Sequence, residues 1–468
     1  MQSPLRLCDA NVHRLPRSVA VPGYQRRRGG PRIVHIGVGN FHRAHQAVYL
    51  DDLLHHPDCP SWEISGVGLL PRDRAMHEAL TPQDCLYTVV EASGDECRAR
   101  VVGSLAEHLY ASEDREAAIS RMAAPECHIV SLTVTEGGYR GNHGPADWPA
   151  YLCEALDRRR ASGLPPFTVL SCDNLQKNGD AARGAVAAFA RRQGPALADW
   201  LVHNGAFPNS MVDRITPETT TEHRRMVADE FGILDAWPVM TEPFRQWIIE
   251  DRFACGRPEW ERAGALMTSD VLPYEKIKIR LLNAGHQALC YPGMLLGYDY
   301  VHEAVADTHI ARFLRVLMDR EVSPLLPAVP GIDLAEYKPT LVRRFGNTAI
   351  RDRLSRIAVD SSSRMREHLL PSLAEQLQRG GPIRMLTLAV AGWFRWLAGA
   401  AEVSDPLAAR LTECARRGGA DPGALLGIRE IFGDALPTVQ RFRDELGRAL
   451  RSLYEIGPRA TLAVYQQQ

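Results

Sequence analysis

The 468-residue chain reads as an α/β protein, with a mainly parallel sheet in residues 1–269 and a mostly α-helical second domain in residues 270–468. Three observations predict this. Apolar, β-branched runs alternate with helical periodicity through the first half, as parallel strands joined by crossover helices require. One of those runs, Arg32–Ile36, passes directly into Gly37-Val38-Gly39 and then into a helical pattern. Beyond about residue 270, strand signals become rare and the helical period dominates.

Residues 1–30 read as an irregular arm ending in the basic loop Arg26–Gly30, without the continuous apolar segment of a signal peptide. Arg32–Ile36 and its turn have the strand, glycine turn, helix order that a dinucleotide fingerprint requires. Glycines there let the backbone approach a pyrophosphate. Gly37, Val38, Gly39, Asn40, Phe41 and His42 are the expected cofactor contacts, although His42 stands where a third glycine would complete the fingerprint. His42, Arg43 and His45 have no carboxylate or cysteine at a ligand spacing, so no metal is expected there, and His42 and Arg43 are expected to pack against or hydrogen-bond the turn.

A second strand, Trp62–Val67, leads to Arg72 and Asp73. An acidic residue at this place binds the adenine-ribose hydroxyls of NAD, whereas an arginine accommodates the 2′-phosphate of NADP. The two are adjacent here, so NAD is expected with NADP open. Asp73 lies 36 residues after Gly37, beyond the usual ~20, which implies a longer first crossover. Leu86–Glu91, His128–Thr135 and Phe167–Cys172 are the further strands, with helices at Glu113–Ala123 and Ala150–Ala161 between some of them. Ligands bind at the carboxyl ends of such strands, which makes Asn174 a candidate hydrogen-bond donor. The alternative is that Asp173 and Asn178 only close the turn. Asp213, followed by Arg214, is either half of an ion pair or a contact to a substrate hydroxyl. Asp235–Asp251 carries mixed strand-like and helix-like pieces.

The second domain is predicted as helices at His309–Glu321, Leu334–Phe345, Met365–Gln378, Arg384–Ala398, Leu407–Arg417 and Val439–Tyr454. Its first helix, Tyr274–Tyr291, is the chemically richest segment of the chain. At about 100° per residue, Lys278, Glu275, His286 and Asn283 share an arc roughly 140° wide. Ile277, Leu281, Ala284 and Ala288 form the opposite apolar stripe. A desolvated lysine is a competent proton acceptor near neutral pH. An amide stabilises charge developing on oxygen, a histidine orients a hydroxyl, and a carboxylate passes the proton outward. The plain alternative is an amphipathic helix with a core histidine and an exposed lysine.

Hydrophobic residues make up 45% and charged residues 24%, as in an ordinary globular chain. The net charge of −1 gives no field for nucleic acid or anionic lipid. No apolar run reaches transmembrane length. Ten cysteines without a CxxC pair are expected to be reduced thiols in a cytoplasmic protein. No coiled coil or tail calls for assembly, so a monomer or weak oligomer with a small-molecule partner is expected.

Six blocks together resemble the mannitol dehydrogenase family: IVHIGVGNFHRAHQAVYLDDLL, SLTVTEGGY, SCDNLQKNGD, FPNSMVDRITP, TEPFRQWIIEDRF and KIRLLNAGHQAL. They keep the family's order from about residue 30 nearly to the C-terminus. The resemblance implies a Rossmann-type N-terminal domain, a helical C-terminal domain and an active site in the cleft between them. It further implies zinc-independent, NAD(P)-dependent interconversion of a secondary alcohol and a ketone, such as D-mannitol and D-fructose. Carried over by motif, Lys278 is the general base and acid, Asn283 and Asn174 hold the oxyanion, His286 orients substrate, and Glu275 moves protons to solvent. Asp213 and Arg356 match substrate-binding positions.

Two departures follow from the same comparison. Arg364 stands where some members have a lysine, which replaces a point charge with a fork that either suits a carboxylated sugar or merely preserves the positive charge. Arg72 departs from the acidic pair that fits strict NAD use. The alternatives are therefore a fructuronate reductase, an arabinitol or sorbitol dehydrogenase and, more remotely, a sugar- or nucleotide-sensing protein without catalysis.

Overall fold

The computed structural model describes residues 3–26, 29–139, 144 and 147–466; Arg27 and Arg28 of the basic loop lie outside these residues. The chain divides into two compact units, Met1–Leu272 and Pro273–Gln468.

The first unit is built on five parallel strands: β1 (Arg32–Ile36), β2 (Glu63–Gly68), β3 (Leu105–Tyr110), β4 (Cys127–Leu132) and β5 (Thr168–Ser171). They lie in the order β3-β2-β1-β4-β5. The order reverses between β1 and β4, which opens a crevice at their carboxyl ends. Successive side chains face opposite sides of the sheet. Val34, Ile36, Val130 and Leu132 enter one apolar core, while Ile33, Ile64, Ile129 and Leu170 enter the other. Both faces are covered, as a parallel sheet requires.

Several elements differ from the sequence reading. Leu86–Glu91 is not a strand of this sheet: Tyr87–Ser93 pairs antiparallel with Glu96–Val102 and parallel with Val239–Thr241. The reason is the two-residue turn Gly94-Asp95, whose first residue has a φ of +58°, the signature of a tight hairpin. Ser210–Asp213, Gln246–Glu250 and Leu266–Thr268 make a further three-stranded sheet, so the Asp235–Asp251 region is strand and loop without helix. The N-terminal arm is not irregular throughout. Leu5–Arg6 pairs with Ile233–Leu234, and the Arg26 guanidinium donates to Asp84 O, Gly103 O and Leu105 O.

The second unit is helical around one apolar core. Leu334–Phe345 occupies the residues its periodicity predicts, capped by Asp333. Two expected helices carry π segments: Leu317–Val322 continues Thr308–Val316, and Met365–Leu369 precedes Leu370–Arg379. Pro371 removes an N–H at the second of these joins. The expected helix Tyr274–Tyr291 is an α-helix over Leu272–Lys278, a π turn over Ile279–Asn283 and an α-helix over Ala284–Leu295.

Candidate active site

In the first unit the glycine turn is fixed by sterics. Gly37 has a φ of +94°, and a Cβ there would lie 2.2 Å from Thr133 O. Thr133 Oγ1 donates to Gly37 O at 2.6 Å, which ties the end of β1 to the end of β4. At Gly39 an added Cβ would meet only Gly37 O, at 3.8 Å, so this side of the turn is open to a close-approaching ligand. The side chains after the turn face the protein. Val38 packs where Gly66 leaves room, Phe41 stacks on His45, and Asn40 Nδ2 donates to Pro217 O and Thr219 Oγ1.

His42 is 1% exposed and stacks on His35 with ring centroids 3.4 Å apart. Burial holds His35 down to about 3 and His42 well below its ordinary value, so both rings are neutral. His42 therefore supports the turn from the protein side. Arg43 is fully buried, donating to Trp237 O and Asn40 Oδ1. The helix expected after the turn is broken at His45, giving Asn40–Ala44 and Gln46–Leu54.

At the end of β2, Asp73 is packed against Gly68 and accepts from Leu70 N at 2.9 Å, while Arg72 is exposed. The open glycine turn and a carboxylate at the end of the second strand together fit a dinucleotide.

Asp173 joins the loops after β4 and β5. It accepts from Val134 N (3.1 Å), Thr135 N (2.8 Å) and Tyr139 OH (2.5 Å), and burial pushes its carboxyl above the usual range. Asn178 Nδ2 ties the far end of the same loop to Asp173 O and Ser210 O. Asn174 is exposed on the loop so held. Asp213 is buried at the end of its strand, opposite Gln246. Its neighbour Arg214 is structural, bonded to Glu91 (2.5 Å), Glu242 O and Ala44 O.

In the second unit, Glu275, Lys278 and His286 are only 6%, 7% and 8% exposed. The plain alternative of an exposed lysine is thereby removed. The π turn changes the geometry of the set. On a continuous α-helix Asn283 would stand at the far edge of the polar arc, but an i to i+5 turn places Lys278 and Asn283 on one face. His286 packs on Phe345 with ring centroids 4.3 Å apart.

His368 joins this group, and the sequence reading missed it. Its Nε2 lies 3.4 Å from Asn283 Nδ2. Burial, with the charge of Arg364 and the neighbouring Lys278 and His286, lowers it to about 3. The signal that could have found it is its position four residues after Arg364. Arg364 donates to two backbone carbonyls, Ile357 O at 2.9 Å and Arg356 O at 3.3 Å. Arg356 is exposed and gives Nε and Nη2 to Asp352 at 2.6 and 2.5 Å.

Among the described residues no group of three or more His, Cys, Asp or Glu side chains is arranged to hold a metal ion. No helix among them is long and apolar enough to cross a membrane.

Comparison with known proteins adds to this geometry. The mannitol dehydrogenase Rossmann domain matches residues 31–262, and the mannitol dehydrogenase C-terminal domain matches residues 270–454. The chain is 46% identical to a mannitol 2-dehydrogenase of Phaeosphaeria nodorum, over 98% of this chain and 86% of the relative. It is 43% identical to a mannitol 2-dehydrogenase of Aspergillus fumigatus, over 99% of each. Among solved structures it is similar to Pseudomonas fluorescens mannitol 2-dehydrogenase in ternary complex with NAD and D-mannitol. That match has 41% identity and a TM-score of 0.87, covering 99% of this chain and 100% of the other. It is also similar to a D-sorbitol dehydrogenase in substrate-free form, with 34% identity, a TM-score of 0.91 and coverage of 98% and 100%.

Proposed function

Because the chain belongs to the mannitol dehydrogenase family, we propose that it is an NAD-dependent polyol dehydrogenase interconverting D-mannitol and D-fructose, with Lys278 as proton acceptor and donor. The observation that carries this reading is the buried pair Lys278 and His286 with the half-buried Asn283, a π turn spanning Lys278 to Asn283.

Bound NAD supplies the acceptor for the hydride that leaves the alcohol carbon. Lys278 Nζ takes the hydroxyl proton during oxidation and returns it during reduction, a role that requires the neutral amine when the alcohol binds. Asn283 Nδ2 donates to the oxygen as charge develops on it, and Asn174 is the second donor. His286 orients the neighbouring hydroxyl. Glu275, one turn before Lys278, moves the proton outward. Asp213 and Arg364 hold the remaining hydroxyls, and Arg356 contributes Nη1, since its other two nitrogens are engaged by Asp352.

A second reading, reduction of a carboxylated ketose, is favoured by one observation. The Arg364 guanidinium is held by backbone carbonyls, and its fork matches a carboxylate. The test is oxidation of NADH and of NADPH with D-fructose and D-fructuronate supplied separately. Turnover with D-fructose is the expected result. Turnover with D-fructuronate alone moves the assignment to the second reading, and turnover with neither contradicts both. The same assay addresses the cofactor: a preference for NADH of about tenfold or more assigns the ribose contact to Asp73, and a preference for NADPH assigns it to Arg72.

A further inference from the structure

The reaction as described leaves His368 without a task, although it stands among the groups that perform the chemistry. Its Nε2 is 3.4 Å from Asn283 Nδ2, and Arg364, Lys278 and His286 lie close enough to act on the ring. With its protonation pushed down to about 3, chiefly by burial, the imidazole is neutral at any pH used for dehydrogenase assays. A neutral imidazole carries one N–H. An amide nitrogen only donates, so the Nε2 facing it is the acceptor and the ring proton sits on Nδ1. His368 Nδ1 is buried and has no hydrogen-bond partner among the described residues. Buried donors are rarely left without an acceptor, and an oxygen of a bound substrate would supply one here.

We infer that His368 is a further substrate-binding residue, whose Nδ1–H donates to an oxygen of the bound polyol or ketose while its Nε2 accepts from Asn283. The second contact has a consequence for Asn283. With one amide hydrogen held by His368, the carboxamide is oriented and its other hydrogen is directed elsewhere, available to the reacting oxygen. His368 thus binds substrate through one nitrogen and positions Asn283 through the other. This rests on the alcohol–ketone reading of the same site.

The test uses the full-length protein and three substitutions, assayed with D-mannitol and NAD, with NADH binding followed by fluorescence. His368→Phe keeps a ring and removes both nitrogens; His368→Asn retains a donor near Nδ1; His368→Gln retains a polar group near Nε2. The Phe variant is expected to raise KM for D-mannitol about tenfold or more and to lower kcat. The Asn variant is expected to recover KM to within about threefold of the parent, and the Gln variant to recover kcat more than KM. NADH affinity is expected to stay unchanged in all three.

Parent-like KM and kcat in the Phe variant, or Asn and Gln variants indistinguishable from one another, would overturn the inference. So would a loss of KM matched by an equal loss of NADH affinity. If the Phe variant does not fold, the Asn and Gln pair decides. A parent protein that turns over neither D-mannitol nor D-fructose brings down the alcohol–ketone reading, and this inference with it.

Discussion

Lys278 and Asn283 are five residues apart and separated by a single π turn, which sets the amine and the amide on one face of the same helical stretch. If that alignment serves proton transfer and oxyanion stabilisation, the two residues fail in different ways. Lys278→Ala should lower kcat by about 10²–10⁴ with NADH affinity unchanged. Asn283→Ala should lower kcat by about 10²–10³. Steady-state kinetics with a parallel NADH titration measure both, and near-parental kcat in either variant contradicts the role given to that residue.

The glycine turn makes a separate prediction. Gly37→Ala introduces a Cβ 2.2 Å from Thr133 O at a φ of +94°. The variant should lose more than about 1 kcal/mol of stability, because the backbone strain and the clash act together. It should also bind NADH at least about tenfold more weakly, because the turn must shift where a pyrophosphate approaches. Urea unfolding and a fluorescence titration test the two parts separately.

Asp173 is expected to organise the loop bearing Asn174. Asp173→Asn replaces a carboxylate that accepts from Val134 N, Thr135 N and Tyr139 OH. An amide has only one oxygen to offer these three donors, so a loss of about 1–3 kcal/mol is expected in chemical denaturation. Tyr139→Phe removes one donor and should cost less. Equal stability of the Asn variant and the parent would refute the clamp.

Buried histidines give the first unit a defined acid sensitivity. Burial holds His35, His45 and His108 each at about 3, against an ordinary value of 6.5. Between those values the unfolded chain binds protons that the folded unit does not. Stability is therefore intact above about pH 6.5 and falls as the pH drops from there towards 3. The slope reaches at most about 1.4 kcal/mol per pH unit for each histidine. Urea unfolding at about pH 7.5, 6 and 5 should show this decline, and a flat profile would contradict it.

What could be read from the sequence was whatever local pattern decides. Arg32–Ile36 was legible because an apolar, β-branched run ends at a glycine that sterics demand. Leu334–Phe345 was legible because its apolar face repeats at the α period after an aspartate cap. Leu105–Tyr110 was missed because LAEHLY is short and interrupted by Glu107 and His108, and only its pairing with Glu63–Gly68 makes it a strand. Asn178–Gln193 was missed because its alanines give little amphipathic contrast.

The site was legible as a set of residues but not as a geometry. A fixed α period hides a π turn, so Asn283 was placed at the edge of its arc and not in line with Lys278. His368 was hidden because its meeting with Asn283 spans 85 residues and depends on two helices packing together. The engagement of Arg356 by Asp352 is a local i, i+4 pair, the kind of contact that helical spacing alone makes legible.

The most direct test of the central claim is the rate of D-fructose reduction by NADH in the parent protein and in Lys278→Ala, each with its NADH dissociation constant. The account predicts turnover by the parent, a loss of about 10² or more in the variant, and equal NADH affinity in the two. Comparable turnover in both proteins, or no turnover in the parent with every substrate named here, would contradict it.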